Sequence, residues 1–283
     1  MGSAAEGFAQ PPTTDWGPLA VFRGEQRVAA LVLIVALAAI TVAAWAYMVV
    51  TGAGMSSAML VMMVAGGTPW GVAIFLSIWF TMMVAMMFPA AAPMVQAYVE
   101  LTIPEQGGRP WWTARSVTFL GTYIAVWTAV GLGVALLYDL LPSAVPELTM
   151  SGTLGTTLAG AVLVVAGIYQ TTPLKQVCLD GCRSPASFLK TDWRPGWTGA
   201  VRLGARHALY CVGCCWLLFA VLFAVGLMAL PWMALLALLI FVEKLFPGRR
   251  GFVVSAGFGV AMAFVGVAFL AVPTFGRWAL GIG

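Results

Sequence analysis

"RHALYCVGCCWLLFAVLFAV", residues 206–225, has no charged residue after its first position. Twenty residues wound as an α-helix rise about 30 Å, the thickness of a bilayer's hydrocarbon core. The apolar character is continuous rather than alternating, which argues for a membrane-crossing helix and against a β-barrel strand. The same run holds the chain's only histidine, His207, and three of its five cysteines, Cys211, Cys214 and Cys215. An apolar helix has no structural need for such a set, so the stretch poses a question of fold and of chemistry together.

The rest of the chain repeats the pattern. Of its 283 residues, 61% are hydrophobic and 8% charged, whereas soluble domains have about 25% charged residues. Apolar runs at 28–50, 70–95, 115–138, 153–171, 199–229, 231–246 and 251–273 predict an all-α, polytopic transmembrane bundle of about seven spans. Pro231 and "FPGRRG" (246–251) punctuate the last three. Residues 1–27 read as a cytoplasmic tail without a signal-peptide pattern, 28–273 as the membrane domain, and 274–283 as a short C-terminal tail. The MGxxxS/T pattern of myristoylation fails because position 6 is Glu.

Sidedness follows from the basic residues. With the N-terminus inside, every Lys and Arg of the fourteen except Arg277 falls on an inner loop or flank, as the positive-inside rule requires. This predicts an inner-membrane, multi-pass protein with the C-terminus outside. The net charge of +4 is small and gives no reason to expect nucleic acid. Lys175, Lys190 and Lys244 are the only lysines and lie at or beyond span edges, so no mid-span lysine is available for a retinal Schiff base. A single histidine excludes a bis-histidine haem. No GxxxxGK[ST] motif is present, so transport would not be driven by an ATPase in this chain.

A second cysteine-bearing stretch, "YQTTPLKQVCLDGCRSP" (169–185), lies in the predicted cytoplasmic loop 172–198. If it is helical, Cys178 and Cys182 share one face at i,i+4, as do His207 and Cys211; Cys211 meets Cys214 at i+3 and Cys215 at i+4. Cytoplasmic thiols stay reduced, so a structural disulfide is a poor account of them. A single helical cysteine ordinarily packs as a small hydrophobe. Jointly, Cys178, Cys182, His207, Cys211, Cys214 and Cys215 suit a soft metal: copper(I) foremost, with zinc or an iron–sulfur cluster as alternatives. The chain has fifteen methionines. Met82, Met83, Met86 and Met87 form i,i+4 thioether pairs on the second predicted helix, and Met55, Met59, Met62 and Met63 cluster before it. Packing accounts for methionine well; a soft-metal path is the sharper reading. Pro89 and Pro93 are expected to bend or unwind the end of that helix. Glu243, beside Lys244, should find a partner, either His207 or its neighbour. Tyr169 and Gln170 lie near the site or anchor the interface, and Trp70, Trp111, Trp112, Trp193 and Trp197 read as interfacial belt residues.

Three blocks, "MMVAMMFPAAAPM" (82–94), "YQTTPLKQVCLDGCRSPASFL" (169–189) and "GARHALYCVGCCWLL" (204–218), resemble the signature blocks of a bacterial family of predicted metal-binding integral membrane proteins. The resemblance implies metal ligation by the five cysteines and His207. It names neither the metal nor a transport role. The expected function is therefore copper handling or transport in the bilayer, with a metallochaperone or other membrane-complex subunits as partners. Two alternatives stand beside it. One is a membrane redox enzyme or thiol oxidoreductase, disfavoured by the absence of a flavin or nucleotide motif. The other is an accessory subunit whose cysteines only brace helices.

Overall fold

A computed structural model describes residues 24–52, 64, 68–105, 111–140 and 152–280. Among them the chain is all-α, as the apolar runs predict. Its ten helices are α1 (Gly24–Gly52), α2 (Pro69–Glu105), α3 (Trp111–Leu140), α4 (Gly152–Tyr169), α5 (Pro173–Arg183), α6 (Pro185–Asp192), α7 (Gly196–Val225), α8 (Leu230–Leu245), α9 (Gly248–Ala271) and α10 (Pro273–Leu280). The first 23 residues and Met55, Met59, Met62 and Met63 lie outside the described residues.

Five helices, α1, α2, α3, α7 and α9, are long and apolar enough to cross a bilayer. A sixth span results if α4 and α5, bent by 70°, are counted as one. The remaining predicted span, 231–246, is α8, whose 16 residues rise about 24 Å, short of a 30 Å core. The cysteine-bearing stretch 172–198, expected as a loop, carries α5 and α6. The expected C-terminal tail begins as α10.

Helix directions follow from cross-contacts. Phe119 of α3 meets Gly204 of α7, and Trp127 further along α3 meets Phe219 further along α7, so these two run parallel. Trp79 early in α2 stacks on Phe223, whereas Tyr98 late in α2 stacks on Phe119, so α2 runs against both. α4 and α9 are antiparallel: a Cβ on Gly160 would lie 2.9 Å from the Gly266 carbonyl oxygen, and one on Gly167 would lie 2.5 Å from that of Gly259. Small residues let membrane helices pack backbone against backbone where apolar lipid gives no hydrophobic drive to associate.

α2 does not unwind at Pro89 and Pro93; the helix runs through both. Pro89 has no N–H to donate to the Ala85 carbonyl one turn back. That carbonyl instead accepts from the Trp45 indole N–H of α1 at 3.0 Å. Trp79 makes an equivalent crossing bond to the Trp127 carbonyl at 2.8 Å, over Gly131, where a Cβ would lie 2.4 Å from the indole ring.

A buried ion pair fastens α5 to α8. Lys175 of α5 donates to Glu243 of α8 at 2.7 Å, and both side chains are essentially fully buried. The sequence reading anticipated a partner for Glu243 but named His207 or Lys244; the bend between α4 and α5 delivers Lys175 instead. Of the belt tryptophans, Trp70 and Trp197 are exposed, while Trp193 packs against Tyr98.

Two outcomes test this framework. Trp45→Phe orphans the Ala85 carbonyl and should cost about 1–3 kcal/mol, read as a lower unfolding midpoint in detergent; adding Pro89→Ala, which restores a backbone donor, should recover most of the loss. Glu243→Gln leaves Lys175 as a buried unpaired cation and should cost about 3–5 kcal/mol, whereas Lys175→Met with Glu243→Gln should be milder than the single change.

Candidate metal centre

Three close approaches set the site. Gly204 brings α7 against α3: a Cβ there would lie 2.4 Å from the Phe119 carbonyl oxygen. Further along α7, Gly213 receives α5, since a Cβ there would lie 2.7 Å from the Cys178 sulfur. Tyr169, the last residue of α4, donates its hydroxyl to the Gly213 carbonyl at 2.6 Å. With α7 pinned on both sides, one turn of α5 faces its cysteine stripe.

The sulfurs of Cys182, Cys211 and Cys214 then lie within 4.8 Å of one another, all three buried. Cys182 and Cys214, from different helices, are 3.9 Å apart. Three sulfurs each about 2.3 Å from a common ion would sit about 4.0 Å from one another, a spacing that the Cys182–Cys214 pair matches. All five cysteines are free thiols.

Around the trio the groups are sharply divided by chemistry. Lys244 of α8 donates to the Cys211 sulfur at 3.1 Å, and the Tyr123 hydroxyl of α3 is hydrogen-bonded to the same atom at 3.1 Å. Met87 of α2 places its thioether 3.8 Å from Cys211. Met82, Met83 and Met86 are also buried, and Met86 lines a cleft of about 300 Å³ with Trp45, Pro89 and Phe241. Cys211 is thus touched from three neighbouring helices and is the hub of the cluster.

The remaining expected ligands stand further out. Cys215 lies 3.3 Å from Cys214 but outside the mutually close trio. Cys178 is half-buried, on the Gly213 side. His207 is fully buried in an aromatic cage of Phe119, Tyr123 and Phe188, with ring centroids 6.1, 5.4 and 5.9 Å away. Neither of its nitrogens has a hydrogen-bond partner among the described residues. Gln170 reaches Met262 of α9 at 3.9 Å rather than the sulfurs.

Sequence reasoning missed Lys244 and Tyr123. A charged pair inside an apolar run, as in "FVEKLF", marks a functional position in a membrane helix, and that signal points to Lys244. Tyr123 carries no comparable mark; only the packing of α3 on α7 selects it.

Comparison with known proteins adds one result. No curated protein and no solved structure matches the chain. The family model for PpoB2, described as a copper chaperone, matches residues 76–269. That region contains α3 to α8 whole, with most of α2 and α9, and so every residue of the sulfur cluster and its surround. The chain belongs to the PpoB2 copper-chaperone family.

Proposed function

We propose that this protein carries copper(I) as cargo, held by Cys182, Cys211 and Cys214 inside a multi-pass bundle of the bacterial inner membrane. The observation that carries the reading is the convergence of three buried thiols from α5 and α7 within 4.8 Å. Thiolate sulfur selects soft ions, and the Met87 thioether at 3.8 Å adds a neutral soft donor that a zinc site would not use. Three thiolates around a monovalent ion leave about two net negative charges, which a buried site must offset; Lys244 at 3.1 Å supplies one cation. Cys215 and His207 stand next to the trio as secondary donors, and Met82, Met83 and Met86 extend the soft surface along α2.

Exposed Lys190, Arg194, Arg202, Arg249 and Arg250 lie from α6 to the start of α7 and at the start of α9, the end at which α7 begins being the one read as cytoplasmic. Buried Lys175 and Lys244 are partners within the bundle rather than loop charges, but the exposed set still supports a cytoplasmic orientation for this end. The partner that fits is a soluble metallochaperone or another membrane subunit able to accept copper(I) at that face. Family membership supports carriage over catalysis.

Copper(I) titration of the full chain in detergent under reductant, against a competing chromophoric chelator, tests the reading. About one ion should bind tightly per chain, and Cys211→Ser with Cys214→Ser should lose it; equal binding by both proteins would remove the site. A second titration separates the metals. Met87→Leu should weaken copper(I) about tenfold while leaving zinc(II) affinity unchanged, because only the softer ion uses the thioether.

A further inference from the structure

The trio poses an access problem. Cys182, Cys211 and Cys214 are 4% exposed or less, so no incoming carrier can touch their sulfurs directly. Among the five thiols only Cys178 is not fully buried. It lies one helical turn before Cys182, a separation of about 5–6 Å between Cβ atoms. Its sulfur rests on α7 at Gly213, the residue before Cys214, and a Cβ at that position would come within 2.7 Å of it. The glycine therefore leaves room for the Cys178 thiol against α7, beside the residue that precedes Cys214. The flanking surface of α5 is mixed: Asp180 is exposed and ion-paired to Arg183 at 2.6 Å, while Leu174 and Val177 are exposed and apolar.

We propose that Cys178 is the exchange thiol of the centre, taking copper(I) from a thiol-bound carrier of the glutathione or cysteine-peptide class and passing it inward to the trio. The inference rests on the copper-carriage reading and assigns one residue's part in it. In the first step the copper–sulfur bond of the carrier breaks as a bond to the Cys178 sulfur forms, and the Cys178 proton leaves on the departing carrier thiol. In the second the copper–Cys178 bond breaks as bonds to the three trio sulfurs form; the Cys214 proton returns to Cys178, and the Cys182 and Cys211 protons are released to solvent. Copper stays monovalent throughout, so neither an oxidant nor a reductant is consumed. Release to an acceptor thiol is the reverse sequence.

The test uses the full chain in detergent with copper(I) supplied as its glutathione complex. Wild type and Cys178→Ser should both reach about one tightly held ion per chain, but loading and release by Cys178→Ser should be at least tenfold slower. Wild type provides an independent readout: after loading with one equivalent, Cys178 should still react with a hydrophilic maleimide, while Cys182, Cys211 and Cys214 are protected. Equal exchange rates, or protection of Cys178 at one equivalent, would overturn the exchange role and leave the trio standing. Failure of wild type to bind copper(I) at all would overturn both.

Discussion

The turn between α4 and α5 is the constraint on which the rest of the centre depends. Pro173 cannot continue the α4 ladder and pushes the residue before it toward extended geometry; Thr172 adopts φ −73°, ψ 147°. Thr172 then caps the new helix by accepting from the Lys175 N–H, while the Thr171 and Thr172 N–H groups close a tight last turn on Ile168 and Tyr169. The chain leaves α4 at 70°, so α5 lies across the bundle instead of prolonging it. With a straight continuation, Cys182 would sit about 20 Å beyond the end of α4 and could not face α7.

That bend has an electrostatic consequence. It buries Lys175, which an apolar bundle tolerates only with a counter-charge in contact. Glu243 supplies it from the end of α8. The adjacent residue, Lys244, projects to Cys211. Two neighbouring charges on one short helix thus serve two purposes: one locks α5 in place, and the other meets the sulfur that α5 helps to enclose. The shortness of α8 is part of the same arrangement, because its end stops where α5 crosses.

The sulfur centre differs from a zinc-ribbon type of site in how it is held. There are no closely spaced cysteine loops wrapped about an ion. Rigid helices carry the donors, and glycines at 204 and 213 set the distances by allowing backbones to approach. Bundle packing alone organises this cluster, and it leaves three thiols, a thioether and a caged imidazole in graded positions from hub to rim.

The sequence by itself determined the all-α membrane class, because continuous apolar runs of bilayer length have few other stable forms. It also determined which residues could matter: cysteine and histidine have no reason to gather in an apolar helix, and helical spacing puts them on one stripe. It could not determine the span count, since α8 is too short for length to decide, nor the helical state of 172–198, which depends on a surface to pack against. Only the tertiary structure decided that Cys182, Cys211 and Cys214 converge while His207 is caged apart, that Lys175 pairs with Glu243, and that Tyr123 meets Cys211. The physical reason is that these choices hang on interhelical distance and rotation. Those are set by glycine contacts and one bend, and they leave no trace in the periodicity of any single helix.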